Sequence, residues 1–213
     1  MTTWAILLAA GSGTRFGARK QFLEVGGQRI VDRSVHGAHD VVDGVVLVLP
    51  AGERWDGPPV HAVVEGGAER SDSVRAGLAL IPAEAEVIVV HDAARPLATR
   101  DLWRAVVGAV QAGADAAIPG LPVADTVKRV DGDRVVDTVP RHDLVAVQTP
   151  QAFRAEVLRR AHESGADATD DAGLVERAGG TVVVVPGEVR NRKVTDRDDL
   201  VVLEAWLSAG GDE

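Results

Sequence analysis

Leu7-Leu8-Ala9-Ala10-Gly11-Ser12-Gly13-Thr14-Arg15-Phe16-Gly17-Ala18-Arg19-Lys20-Gln21 is the stretch from which the rest of the chain can be read. An apolar run of strand length, Trp4 to Leu8, stops at two alanines and a glycine-rich turn, and three cations, Arg15, Arg19 and Lys20, follow. Glycine lets backbone N–H groups approach a ligand with no Cβ in the way. Successive N–H groups in such a turn form an anion-binding concavity. With Arg and Lys added, the stretch reads as a site for several phosphate charges. It matches neither of two related glycine motifs. A dinucleotide fingerprint needs its third glycine one residue before Gly17, and Thr14-Arg15 is bulky and charged where that motif packs helix on strand. A P-loop needs Lys and Ser or Thr after its second glycine, but Ala18-Arg19-Lys20 follows Gly17. The glycines alone also permit a plain strand–turn–helix connection with solvated charges.

Outward from this loop the chain alternates. Helices are expected at Gln28–His39, Val74–Leu80 (Ser71 as N-cap), Leu102–Gln111 (capped by Thr99) and about Ala152 to Glu163. Thr169-Asp170-Asp171 opens another helix that ends at Gly179-Gly180, and Thr195 caps a last one, Asp198–Leu207, with Asp198 as its reciprocal capping residue. Strands are expected at Val45–Leu49, Val60–Val64, Val87–Val90, Ala114–Ile118, Val145–Gln148 and Val182–Val185. Thr126–Val130 and Arg134–Thr138 alternate around Asp131-Gly132-Asp133, a hairpin signal whose polar faces suit a projecting arm. The expected fold is a single α/β domain over residues 1–213. It is three-layered and Rossmann-like, a mostly parallel twisted sheet with helices on both faces and a projecting β-hairpin arm at about residues 122–142.

With 213 residues the chain can bury roughly 70% of its unfolded surface without a staple. Only 3% of residues are aromatic, so Val, Leu, Ile and Ala must build the core. No Cys is present, which excludes disulfides and thiolate metal sites. No signal-type segment opens the chain and no apolar run approaches membrane-spanning length, so a cytoplasmic location is expected. A net charge of −9 argues against non-specific binding to nucleic acid or membranes, while leaving room for a small phosphorylated ligand held by a few local cations.

In parallel sheets the site lies beyond the carboxyl ends of strands. The Gly11 loop, the Gly67 loop, Asp92 and Thr149 all follow strand segments. Asp92 suits Mg²⁺, which takes one or two carboxylates plus phosphate oxygens, although a turn residue accepting local N–H bonds would look the same. His91 reads as a packing or hydrogen-bonding residue. No Gly-x-Ser-x-Gly, zinc-spaced histidine pair or nucleophile–base constellation is present. Cations, a carboxylate and glycine loops suit phosphoryl-group chemistry, in which positioning and charge stabilisation dominate.

The opening loop and five further ordered motifs support a family resemblance. Leu8 to Phe16 with Lys20-Gln21 resembles the signature of nucleotidyltransferases of the sugar-nucleotide transferase fold. Gly67-Ala68-Glu69-Arg70-Ser71-Asp72-Ser73-Val74, His91-Asp92-Ala93-Ala94-Arg95-Pro96, Gln148-Thr149-Pro150-Gln151-Ala152-Phe153, Thr169-Asp170-Asp171 and Arg192-Lys193-Val194-Thr195 resemble the 2-C-methyl-D-erythritol 4-phosphate cytidylyltransferases of non-mevalonate isoprenoid biosynthesis. The resemblance implies that CTP and methylerythritol phosphate give CDP-methylerythritol and pyrophosphate, by direct attack of the substrate phosphate on the CTP α-phosphorus. It further implies that Ala9, Ala10, Gly11, Gly13, Gly67, Arg70 and Ser73 hold CTP, and that Arg15 and Lys20 are catalytic, neutralising developing charge. Asp92 would hold Mg²⁺. Ala93, Arg95, Thr126, Arg141, Thr149 and Lys193 would lie against the polyol phosphate. The family's arm reaches into a partner, so a homodimer is expected, with Thr126 and Arg141 serving the neighbouring site. The alternatives are transfer to another polyol phosphate, such as ribitol 5-phosphate, and a non-catalytic nucleotide-binding domain. Two departures stand out: Arg19 where the family often has proline, and Arg190 where it tends to have an acidic residue. The second leaves Glu188 as a weak substitute for a further metal carboxylate.

Overall fold

The opening apolar run becomes a central strand because both of its faces are covered. In a computed structural model, which describes residues 1–11, 19–163, 165 and 170–209, the chain order is as follows. β1 (Thr3–Leu8) leads to a 3₁₀ turn (Lys20–Phe22), β2 (Glu24–Val25), β3 (Gln28–Arg29), α1 (Ile30–His39), β4 (Gly44–Leu49) and β5 (Ala62–Glu65). Then come α2 (Arg70–Leu78), β6 (Val87–Asp92), α3 (Arg100–Gln111), β7 (Ala116–Pro122), β8 (Val127–Asp131) and β9 (Arg134–Val139). The chain finishes with β10 (Val145–Val147), β11 (Gln151–Arg154), α4 (Ala155–Glu163), α5 (Asp171–Arg177), β12 (Val182–Pro186) and α6 (Arg197–Ala209).

Among the described residues the main sheet has eight strands, and β6, β1, β4 and β5 run parallel side by side. Successive side chains leave a strand on opposite faces, and here each face has its own core. Ala5, Leu7, Val45, Leu47, Val87 and Val89 pack with Val31, Val35, Trp103 and Val106 of α1 and α3. Ile6, Val46, Val48, Ile88 and Val90 pack with Val74, Leu158 and Val175 of α2, α4 and α5. Each fully buried Val or Leu contributes about 1.5–3 kcal/mol, so both periods of these strands are stabilised. This is the three-layer, mostly parallel α/β sheet that the sequence predicts, and β8–β9 form the expected hairpin away from it, turning at Gly132 (φ +60°).

The structure corrects four local expectations. The sequence pattern predicts a helix from Ala152, but Gln151–Arg154 instead form β11, antiparallel to both β6 and β7, and the helix starts at Ala155. Ala152 and Phe153 are wholly buried there, and strand pairing outweighs their neutral local preference. α2 starts a turn earlier than its apolar pattern implies. Its N-cap is the extended Glu69, whose N–H donates to Asp72 Oδ2 at 3.1 Å, and Ser71 lies buried inside the first turn. α6 is capped one residue later than expected: Asp196 Oδ1 accepts from Asp199 N–H, and Asp199 Oδ2 accepts from Asp196 N–H, both at 3.1 Å. Gln28 and Arg29 pair with β2 rather than opening α1.

Candidate functional site

β1 and β6 end in register, Leu8 beside Asp92. The chain leaves both at the same edge: Ala9 N–H donates to Val48 O (2.8 Å), Ala93 N–H to Leu8 O (3.0 Å) and Gly66 N–H to Leu49 O (2.8 Å). A Cβ on Gly66 would lie 2.3 Å from Ala10 Cβ and 2.7 Å from Ser73 Oγ, so this close approach of the β5 exit to the β1 exit requires glycine. Ala9, Ala10, Gly11, Gly67 and Ser73 therefore gather at one edge. Gln21, which is buried, donates its Nε2 to Ala9 O (2.6 Å) and Gly11 O (3.2 Å), bringing the Lys20 turn back onto the same edge. Gly13 and Arg15 lie outside the described residues.

Asp92 is the centre of the charged cluster. Lys193 Nζ donates to its Oδ2 at 2.6 Å, and Arg70 Nε lies 3.6 Å from its Oδ1. Burial alone would raise the Asp92 carboxyl, but the Lys193 charge, then Arg70, hold it well below the usual carboxylate range. Arg70 is itself half-buried and also donates Nη1 to Asp171 Oδ2 at 2.8 Å. Burial would lower its guanidinium, and the Asp171 and Asp92 charges more than offset this.

Below the carboxylate a polar chain fixes the backbone. Asp92 N–H donates to Thr149 Oγ1 (3.0 Å), and His91 Nδ1 lies 3.1 Å from the same hydroxyl. His91 Nε2 faces Arg95 O at 3.1 Å, and a carbonyl can only accept, so Nε2 carries the proton and Thr149 donates to Nδ1. Burial pushes this imidazole down to about 4, so it is neutral near pH 7. Thr149 is placed by a break in pairing: β10 and β11 lie end to end along β7, and the register shifts across Gln148–Pro150. Gln148 and Asn191 then clamp the 188–194 segment. Gln148 Nε2 donates to Glu188 O (2.9 Å), Asn191 Nδ2 to Thr149 O (2.9 Å), and Arg95 Nη1 to Asn191 O (2.8 Å). That clamp delivers Lys193 to Asp92. Beside it opens a cleft of about 430 Å³, lined by Arg95, Gln148, Lys193, Thr195 and Trp206 among others.

Of the expected site residues, Asp92, Lys193, Arg70, Thr149, Ala93 and Arg95 converge. Thr126 and Arg141 do not: both are exposed at the base of the arm, and neither hydrogen-bonds to the Asp92 cluster within this chain. Glu188, the weak substitute for a second metal carboxylate, accepts from Thr99 Oγ1 and N–H at the start of α3. Arg19 pairs with Glu53. Among the described residues no three His, Asp or Glu side chains gather as a metal cage. A lone carboxylate at a strand end fits Mg²⁺ that keeps most of its bonds to phosphate oxygens and water. The sequence pattern assigns no role to Gln21, Gln148, Asn191 or Asp171. The available signal is that each is a polar residue inside or beside a quoted motif.

The profile of one family, described as IspD, 2-C-methyl-D-erythritol 4-phosphate cytidylyltransferase, matches residues 3–209. A relative from Saccharopolyspora erythraea bearing that same description is 47% identical over 229 residues, covering 98% of this chain and 100% of the relative. A bifunctional enzyme IspD/IspF from Solidesulfovibrio magneticus is 45% identical over 227 residues, and there the chain spans only 56% of the relative's length. Among solved structures, 2-C-methyl-D-erythritol 4-phosphate cytidylyltransferase from Thermus thermophilus superposes with a TM-score of 0.84 at 37% identity, covering 98% of this chain and 100% of that one.

Proposed function

The chain belongs to the 2-C-methyl-D-erythritol 4-phosphate cytidylyltransferase family, and from that premise we propose that it transfers a cytidylyl group from CTP to methylerythritol phosphate. One observation carries the reading to this chain: Asp92, Lys193, Arg70 and Thr149 arrive from four separate segments at the end of β6, beside the glycine exit of β1. In the proposed reaction an oxygen of the acceptor phosphate bonds to the CTP α-phosphorus. The bond from that phosphorus to the bridging oxygen breaks, and pyrophosphate leaves with the electron pair. The acceptor phosphate is already a nucleophile, so this chain has to align it and stabilise charge.

Ala9, Ala10, Gly11, Gly13, Gly67, Arg70 and Ser73 would hold CTP. Lys20 and Arg15 would neutralise charge on the reacting phosphorus and the leaving pyrophosphate. Arg95, Thr149 and Lys193, in the walls of the adjoining cleft or next to it, would take the acceptor, with Ala93 leaving room beside them. Asp92 would hold Mg²⁺, which supplies charge neutralisation and alignment of the triphosphate. Lys193 would then lie between carboxylate and acceptor phosphate. Thr126 and Arg141 would act in the site of a second copy reached by the β8–β9 arm. A cytoplasmic setting fits this use of CTP, and no helix among the described residues is long and apolar enough to cross a membrane.

The test is pyrophosphate release from CTP and Mg²⁺ with either methylerythritol phosphate or ribitol 5-phosphate. Release with the first and not the second is expected. Preference for ribitol phosphate would overturn the acceptor, and no release with either would overturn the enzymatic reading.

A further inference from the structure

We infer that Asp171 is the positioning residue for Arg70, fixing its guanidinium beside Asp92 at the end of β6; this rests on the proposed role of Arg70 in holding CTP. Arg70 is the first residue of α2 and stands between two carboxylates. It is hydrogen-bonded to only one of them, with Nη1 2.8 Å from Asp171 Oδ2 against 3.6 Å from Nε to Asp92 Oδ1. Asp171, at the start of α5, is 1% exposed, and its second oxygen accepts from His162 Nε2 of α4 at 2.9 Å. Three helices therefore meet at one carboxylate, and both of its oxygens are in use.

The arrangement divides the charges. Lys193 already occupies Asp92 Oδ2. Without Asp171, the nearest anion for Arg70 is Asp92, and the guanidinium would swing onto it and compete with Lys193 for the same carboxylate. Holding one N–H of the guanidinium on Asp171 keeps Arg70 off Asp92 and leaves its remaining N–H groups for an incoming anion. A free arginine side chain samples many rotamers, and a fork fixed beforehand loses less of that freedom when a ligand binds. A buried ion pair is weak evidence of stabilisation in itself. The position of Asp171, one helix behind a proposed ligand-binding cation, is what indicates a role in binding.

The experiment uses the full chain with CTP, Mg²⁺ and methylerythritol phosphate, comparing wild type, Asp171→Asn, Arg70→Ala and the double variant, each checked for folding by thermal melting. Asp171→Asn is expected to raise KM for CTP by about tenfold, the size of one charge-assisted hydrogen bond. KM for the acceptor should stay within about twofold. The double variant should be no worse than Arg70→Ala, because the two residues act as one unit. A folded Asp171→Asn with unchanged KM for CTP overturns the inference, as does a double variant in which the two effects multiply. Should Asp171→Asn not fold, Asp171→Glu keeps the charge while displacing it, and a KM for CTP that stays at the wild-type value again overturns the inference. An inactive wild type overturns the proposed function itself, whereas an active wild type with an indifferent Asp171 overturns this inference alone.

Discussion

Lys20 and Lys193 carry the same charge in different settings. Lys193 is bonded to a carboxylate at 2.6 Å, whereas Lys20 opens a short turn whose next residue, Gln21, is tied to the carbonyls of Ala9 and Gly11. The Lys20 turn is thus anchored to the proposed phosphate loop, where negative charge grows during transfer. Lys20→Ala is expected to lower kcat by about 10²–10³-fold, the effect of losing one donor aimed at developing charge, with far less change in KM for the acceptor. Steady-state kinetics checks this, and equal changes in both constants would remove the transition-state role. Gln21→Glu keeps the volume but loses the donor, and its carboxylate would face two carbonyl oxygens. A fall in kcat/KM for CTP of about tenfold or more is expected, the usual penalty for an unsatisfied buried group. Asp92 stands out in sequence by its place at a strand end, although a turn residue would look the same there, and Lys193 is reached only through the family resemblance. Gln21, Asn191 and Asp171 are assigned no role by either route, since their partners are backbone atoms or side chains far away in sequence, as with Asp171 and Arg70, 101 positions apart.

Elements were legible where one strong local signal acted alone. The buried β-branched runs of β4 and β6 and the Asp-Gly-Asp turn of the arm needed no distant partner to be recognised. β11 was not legible, because its four residues become a strand only when β6 and β7 flank them. The start of α6 was misplaced because three acidic residues, Asp196, Asp198 and Asp199, compete for two capping positions. Asp199 prevails because Thr195 N–H and Oγ1 both donate to its Oδ2 at 2.7 Å while Arg192 pairs with its Oδ1. Burial by itself would raise the Asp199 carboxyl, but these bonds, the Thr195 ones leading, bring it down from 3.8 to about 2. A depressed carboxylate contributes stability above its unfolded value, and that contribution is lost as pH falls through the folded value. Asp199→Asn is therefore expected to cost about 2 kcal/mol at neutral pH. The gap to wild type should narrow from about pH 4 to pH 2, as denaturant melts across that range would show. A gap independent of pH would mean that the carboxylate charge is not what caps α6.

At the scale of the whole molecule, the arm is the feature the chain cannot explain by its own packing. A lone two-stranded hairpin is marginally stable in water, yet β8 and β9 leave the sheet and expose Val130, Val135 and Val136 by 57%, 55% and 51%. Thr126 and Arg141 stand at the base of this arm, away from the Asp92 cluster of their own chain. A second copy that covers the valines would also receive Arg141, as proposed. This makes a complementation experiment decisive. Arg141→Ala and Lys20→Ala should each give a nearly inactive homodimer, the first lacking the arm's arginine and the second the loop's lysine. In a mixed dimer, the subunit with intact Lys20 receives an intact Arg141 from its neighbour, while the other site carries both defects. Random exchange makes half the dimers mixed, so activity should recover to about a quarter of wild type if the arm acts across a two-fold interface. If Arg141 instead served its own subunit, every site in the mixture would keep one defect and no activity would return.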